Sequence, residues 1–350
     1  MRWLSLPAAL FLVVGAGAQP TRLIELPDGS RQRMTPDQIQ ELSLQSHQGG
    51  DCPGFIDVTD AEGRIGVMNV DREPWAKLTV PIPAQKEIVA KLLPKLSASE
   101  LLSNLLEISR YPDRLYDSER GEKAALWVRD RFAAAGGSPE LITHKEWRQP
   151  TVIARLNGTG PRAGELVVLG AHMDSVRGAP GADDNGSGVA VLLEVFRVLS
   201  KSGIKLDRTI EFIGYSAEEV GLRGSQAIAQ RYKKEGRKVF GVLNFDMVMY
   251  HEAKPAVGVT MQEELNPELV AALKKLVETY SSLPWEERHT CCSDWKSWAQ
   301  AGFPAANMRD DPSYPHYHRP GDTPDKLDAS YGLEFAKVAL AFAVELGLAR

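Results

Sequence analysis

An α/β fold with a mostly parallel central sheet, flanked by helices on both faces, follows from three features of the sequence. Leu166-Val167-Val168-Leu169, Thr209 to Gly214 and Val239 to Phe245 are short, near-continuous apolar runs rather than alternating ones, the pattern of strands buried on both faces. Between and around them lie helical periodicities, as at Ser187 to Leu199, where Val191, Leu192, Val195, Phe196 and Leu199 share one face. Strand and helix alternate along the chain, which calls for crossover connections and a parallel sheet.

In chain order, the first residues read as a targeting segment. Arg2 supplies a positive start, Leu4 to Val14 is mostly apolar, and Ala16-Gly17-Ala18 supplies small residues. A secretory signal over 1–18 is expected, with export to the extracellular space, or to the periplasm in a Gram-negative bacterium. Its apolar run is too short for a membrane anchor, and no later stretch is long and apolar enough to span a bilayer. Residues 19–94 are polar and punctuated by Gly49-Gly50 and Pro81-Ile82-Pro83. They hold a helix signal from Thr35, a natural cap before Pro36, to Leu44, and a short strand signal at Phe55 to Val58. This stretch reads as a pro-segment, with an ordinary N-terminal subdomain as the competing reading.

From 95 to 350 the pattern is that of one catalytic domain. Ser97 to Ser109 and Ser118 to Ala135 are amphipathic, each with a serine cap. Further helices are expected at Gly224 to Lys234, Pro267 to Tyr280 and Leu333 to Leu346. No internal repeat and no extended low-complexity tract interrupts them.

The chain has 350 residues, 43% of them hydrophobic and 25% charged, enough for a large core. A net charge of −5 argues against a nucleic-acid partner, whose phosphates need a basic face. Three cysteines, Cys52, Cys291 and Cys292, do not make a disulfide scaffold.

The acids and histidines fall where the strands end. The first run leads into Ala171-His172-Met173-Asp174, and a glycine-rich turn, Gly181 to Gly188, follows with Asp183 and Asp184 inside it. The second ends at Ser216-Ala217-Glu218-Glu219, the third at Asp246, and a late loop adds His318. In open α/β sheets, sites gather beyond the carboxyl ends of the strands. Taken singly, each motif has an ordinary structural reading: Asp-Asp-Asn-Gly favours turns, and Glu218-Glu219 fits a solvated edge. Jointly they form a ligand set of imidazoles and carboxylates that suits zinc. Asp184, Glu219, Asp246 and a hydroxide would neutralise two divalent ions, whereas one ion would leave a strongly anionic cluster.

The runs LGAHMDSV, PGADDNGSG, YSAEEVGLRGS, NFDM and YHRPGDT resemble those of the secreted bacterial and fungal leucyl aminopeptidases of the two-zinc family. The similarity runs from about Leu101 to the C-terminus, and RLIELPDGSRQRMTPDQIQEL is reminiscent of fungal members. The resemblance implies a zinc-exopeptidase-like fold and two zinc ions per chain. Asp184 would bridge them, Glu219 and His318 would complete one site, and His172 and Asp246 the other. Glu218 would be the general base, and Asp174 would hydrogen-bond the second nitrogen of His172. The implied activity is hydrolysis of N-terminal peptide bonds by a zinc-activated water. Its partners would be peptides with a free N-terminus, whose α-amine binds one zinc. An apolar pocket near Met247, Cys291, Cys292, Tyr314 and Tyr317 would favour leucine or other large apolar first residues. A monomer is the default for such an exopeptidase.

The sequence departs from these relatives in one loop. They usually carry two separated cysteines there, followed by SDH, whereas this chain has adjacent Cys291 and Cys292 followed by SDW. Trp295 thus replaces a histidine, but no expected zinc ligand changes. His316 is the one substitute ligand the motif offers. The competing functions are a glutaminyl-cyclase-like enzyme with a single zinc and a non-catalytic binding domain. The intact GADDNGSG and EEVGLRGS runs and the filled ligand positions favour the peptidase over both.

Overall fold

The computed structural model of the chain describes residues 21–26, 28–48, 55–59, 82–252, 257–260, 266–288, 293–310 and 314–349. The expected signal segment over 1–18, and with it Cys52, Cys291 and Cys292, lies outside these residues.

A small N-terminal unit comes first. β1 (Arg22–Glu25) pairs antiparallel with β2 (Arg31–Met34) on one edge; after α1 (Pro36–Gln48), β3 (Ile56–Asp57) pairs antiparallel with β1 on the other. α1 opens where Thr35 and Pro36 predict. The Gln38 amide donates to Thr35 Oγ1 (3.3 Å) and the Thr35 amide to Gln38 Oε1 (2.8 Å), a reciprocal cap. Ile24, Ile39 and Phe55 of this unit form an apolar cluster with Tyr116, Ala217 and Val220, separate from the main core.

From Ile82 onward the chain joins the main core. α2 (Lys86–Leu92) buries Val89 and Leu92 in it, and the amides of Ala84 and Gln85 donate to the Glu345 carboxylate at 2.7 and 3.0 Å. Residues 82–94, which the sequence reading groups with the N-terminal segment, therefore pack with the large domain. Pro94 lies in a short turn, Leu93–Lys95, at their end.

The predicted helices and strands follow. α3 (Ala98–Ile108) and α4 (Glu119–Ala134) are capped by Ser97 and Ser118, whose hydroxyls accept the amides of Glu100 (3.3 Å) and Gly121 (3.0 Å). Then come β4 (Glu140–Ile142), β5 (Thr151–Leu156), β6 (Glu165–His172), α5 (Gly188–Ser200), β7 (Thr209–Tyr215), α6 (Arg223–Lys234) and β8 (Lys238–Phe245). β9 (Val257–Thr260), α7 (Pro267–Tyr280), β10 (Trp285–Arg288), α8 (Asp294–Gln300), β11 (Ala305–Arg309) and α9 (Ala329–Gly347) complete the chain.

The eight-stranded sheet runs β10-β9-β11-β8-β6-β7-β5-β4. Its centre, β11-β8-β6-β7, is parallel throughout, while β4, β5 and the β9–β11 pairing are antiparallel. The three apolar runs of the sequence are the central β6, β7 and β8. Both faces of the sheet are covered, as β8 demonstrates. A Cβ on Gly241 would touch Leu346 of α9 and Leu269 of α7. Three positions on, and so on the opposite face, Asn244 donates to Ser293 Oγ at the head of α8 (3.0 Å). Among the described residues, no helix is long and apolar enough to cross a membrane.

Candidate metal centre

Parallel register brings the chemistry together. His172, the last residue of β6, is level with Tyr215 at the end of β7, and Gly170 is level with Asn244 of β8. The residues that follow these strands, Glu218 and Glu219 after β7 and Asp246 after β8, thus emerge on one edge beside His172. The Gly181–Gly188 turn crosses in front of them. Gly181 has φ +62°, and a Cβ there would sit 2.3 Å from the Asp184 carbonyl oxygen, so only glycine makes the turn. Asn185 fastens the turn to β8 by donating to the Phe245 carbonyl at 2.8 Å.

Asp184 stands at the centre, with its two carboxylate oxygens facing opposite ways. Oδ1 lies 3.1 Å from His172 Nε2, and Oδ2 lies 2.6 Å from His318 Nε2. Asp246 Oδ1 is 3.6 Å from the same His172 nitrogen, and Glu219 Oε2 is 3.2 Å from the same His318 nitrogen. Among the described residues, one group that could hold a cation is His172, Asp184 and Glu219, and His318 adjoins it through Asp184 and Glu219. Glu218 lies beside His172 and Asp246 as well, within reach of a common cation.

Strain is gathered here. Among the described residues, the non-glycine residues with positive φ are Ala217 (55°), Leu222 (60°), Met247 (59°) and His318 (56°). Ala217, Met247 and His318 flank or carry an expected site residue, and Leu222 ends the loop that holds Glu218 and Glu219, as strained backbone does where the surrounding structure over-determines it.

The electrostatics are those of a site built for cations. Burial and then the neighbouring Asp184 push the Glu219 carboxyl up to about 7, even though His318 pulls it down. Burial alone would depress the His318 imidazole, but Glu219 and Asp184 raise it to about 10. Glu218 is held well above the carboxylate range by burial and by the charges of Glu219, Asp294 and Asp246, against the pull of His172. Glu219 Oε1 is buried without a hydrogen-bond partner. Crowded buried carboxylates with an orphaned oxygen and two converging imidazole nitrogens fit the donor set of divalent zinc.

The Asp174 side chain is engaged differently from the expected bond to His172. Its Oδ1 lies 3.6 Å from His172 Nδ1, beyond hydrogen-bond length, and that nitrogen is 3.3 Å from the Asp174 backbone carbonyl. The carboxylate instead accepts the amides of Glu218 (3.1 Å) and Glu219 (3.2 Å), tying the β7 loop to the β6 strand end.

Three supporting residues escape a reading of the motifs. Asp322 accepts the amides of Asp183 (2.8 Å) and Asp184 (3.1 Å) together with the Tyr314 hydroxyl (2.9 Å). Fully buried Arg114 donates to the carbonyls of Met173 (2.8 Å), Gly181 (2.9 Å) and Pro180, spanning the strand end and the turn. Asp294, also fully buried, faces the charges of His172 and Asp246 from α8. Asp322 sits in the quoted YHRPGDT run, so its position was visible although its task was not.

Of the expected pocket, Tyr317 stacks on His318 with centroids 3.6 Å apart, and Arg309 lies over the Tyr317 ring (5.4 Å) while donating to Met247 Sδ (3.0 Å). Tyr314 is buried against Tyr250, its hydroxyl committed to Asp322, so it braces the metal turn. His316 packs against Tyr314 and Gly321.

Comparison with known proteins identifies the family. Residues 151–343 match the model of peptidase family M28. A probable leucine aminopeptidase of Arthroderma otae is 34% identical over 98% of both chains. Leucine aminopeptidase 1 of Trichoderma harzianum is also 34% identical, over 98% of this chain and 93% of its own. In fold, the LapA aminopeptidase of Legionella pneumophila superposes with a TM-score of 0.84 at 24% identity, covering 94% of this chain and 99% of its own. A glutaminyl cyclase of Fimbriiglobus ruber superposes less well, with a TM-score of 0.60 at 17% identity over 72% of this chain and 95% of its own. This chain belongs to peptidase family M28 and is a metallo-aminopeptidase.

Proposed function

We propose that this metallo-aminopeptidase holds two zinc ions and removes leucine or another large apolar residue from the N-terminus of peptides. The observation that carries the two-metal reading is the divided Asp184 carboxylate, with one oxygen at 3.1 Å from His172 Nε2, which adjoins Asp246, and the other at 2.6 Å from His318 Nε2, which adjoins Glu219. Those four residues would hold one ion each in pairs, with Asp184 shared. When bound, zinc supplies Lewis-acid polarisation of the scissile carbonyl and makes an attacking water acidic enough to deprotonate near pH ~7.

Glu218 is the general base. Its neighbours hold its proton affinity well above that of an ordinary carboxylate, so it can take a proton from water and hand it to the leaving amine. Asp174 keeps Glu218 and Glu219 in register with His172 through their amides. Met247 and Tyr317, beside His318, supply the apolar contact for the first side chain. The leucine aminopeptidases named above support this preference. The start of the chain supports export, and we propose a monomer.

The test is metal content measured together with hydrolysis of leucyl-p-nitroanilide. Two zincs per chain, turnover abolished by chelation, and a Glu218→Gln variant that is inactive yet keeps its metal would support the reading. One tightly held zinc with cyclisation of N-terminal glutamine would overturn it in favour of the cyclase.

A further inference from the structure

Arg309 stands where the proposed pocket residues meet the metal edge. It is the last residue of β11, whose Met308 is level with Phe245 of β8. Beyond that pair the two segments stay bonded. The Asp246 amide donates to the Met308 carbonyl (3.1 Å), and the Asp310 amide donates to the Met247 carbonyl (2.7 Å). Arg309 therefore runs alongside Asp246 and Met247 rather than away from them. Side chains alternate across a strand, so Arg309 leaves β11 on the face of Asn307, which bonds Asn244 (2.9 Å) on the α8 side of the sheet. Asp310 leaves on the other face and accepts the Tyr250 amide (2.7 Å).

The head group of Arg309 touches both residues assigned above to the first side chain of the substrate. Its guanidinium donates to Met247 Sδ at 3.0 Å and lies 5.4 Å from the centre of the Tyr317 ring. That ring stacks on His318, and Met247 directly follows Asp246. A side chain resting on both Met247 and Tyr317 thus comes against a fixed positive charge. Arginine keeps that charge throughout the working pH range. Met247 is buried and Arg309 half-buried, so water screens the charge less than it would on the open surface. Met247 itself shows one kind of group this guanidinium accepts, a thioether sulfur.

We propose that Arg309 is a specificity-determining residue that closes the first-residue pocket with a positive charge. N-terminal lysine and arginine are turned away, while methionine is taken alongside leucine. The inference deepens the reading of Met247 and Tyr317 as walls of that pocket and rests on it. Charge rather than size makes the distinction, because lysine and methionine are both unbranched and similar in length.

The test compares kcat/KM of the full chain on leucyl-, methionyl- and lysyl-p-nitroanilide. Wild-type enzyme should turn over the lysyl substrate about tenfold or more below the methionyl one, the effect of a like charge at close range in a partly buried site. Arg309→Met should narrow that gap by about tenfold, and Arg309→Glu should invert it. Arg309→Lys, which keeps the charge, should keep the gap. Should Arg309→Met not fold, Arg309→Gln carries the same expectation. Wild-type enzyme that takes lysine as readily as methionine would overturn the proposal. So would variants that lower all three substrates alike, since Arg309 would then only brace Tyr317 and Met247. The leucyl substrate separates the two levels. If wild-type enzyme turns over neither leucyl nor methionyl substrate, the reading of an apolar pocket fails and takes this inference with it. If both are turned over and the methionyl-to-lysyl ratio ignores Arg309→Met, only this inference fails.

Discussion

Asp322 holds Asp184 by its backbone: the Asp322 carboxylate accepts the Asp184 amide at 3.1 Å and leaves the Asp184 side chain free to face both histidines. The same carboxylate takes the Asp183 amide and the Tyr314 hydroxyl, so one buried acid sets the conformation of the whole metal turn. Supporting groups of this kind typically cost about 10- to 100-fold in affinity or activity when removed. Asp322→Ala should lose zinc and turnover by that order while the fold persists, as measured by metal titration alongside circular dichroism. Unchanged metal affinity would count against this role.

Asp174 gives a second prediction. Both its oxygens accept amides, so Asp174→Asn turns one acceptor into a donor that faces an N–H. Turnover should fall by about 10- to 100-fold, with a smaller change in KM. A bond to His172 alone would predict weakened metal binding with kcat intact once zinc is saturating, and the two outcomes separate in a zinc titration of kcat.

Arg114 is a matter of stability. Its guanidinium is fully buried, and burial lowers its pKa, partly offset by Asp322, Asp174 and other nearby acids. Its three backbone acceptors would all lose their partner in Arg114→Met. Buried hydrogen bonds to a charged group are worth about 1.5–3 kcal/mol each, so the variant should lose about 3 kcal/mol or more in urea denaturation. A loss below about 1 kcal/mol would show that the turn holds itself.

His144 predicts a pH dependence. Burial, with Arg223 adding to it, lowers its pKa from 6.5 to about 4. The ring stacks on Trp147 (4.2 Å) and its Nε2 is 3.0 Å from Thr151 Oγ1. The unfolded chain takes up a proton near 6.5 that the folded chain resists until about 4. Stability is therefore fully present above pH 6.5 and falls as the pH drops through that window, by at most about 1.4 kcal/mol per pH unit from this group. His144→Gln should flatten the curve between those limits, and an unchanged slope would remove His144 as its source.

The central sheet and the convergence of the site were legible because strands buried on both faces write themselves as unbroken apolar runs. Acids placed directly after such runs must land on one edge. The antiparallel margin was less legible. β4 is a three-residue ELI strand and β10 is WEER, too short and too polar to stand out. α8 is seven residues, with Trp295 and Trp298 buried behind a charged start. His318 comes from a loop with no periodic signal, so its ligand role followed from its residue type and from the resemblance to known enzymes rather than from any strand pattern. The roles of Arg114 and Asp322 depend on backbone partners far away in sequence, and such pairings leave no local pattern. Pro94 reads as a break, but it sits in a short turn whose neighbour Leu92 is in the main core.

The division of Asp184 between two histidines is the centre of the account, and zinc stoichiometry in single-ligand variants tests it most directly. Wild-type chain should bind two zincs, His172→Ala and His318→Ala one each, and Asp184→Ala should weaken both. A wild-type chain that saturates at one zinc, or a His318→Ala variant that still binds two, would contradict it.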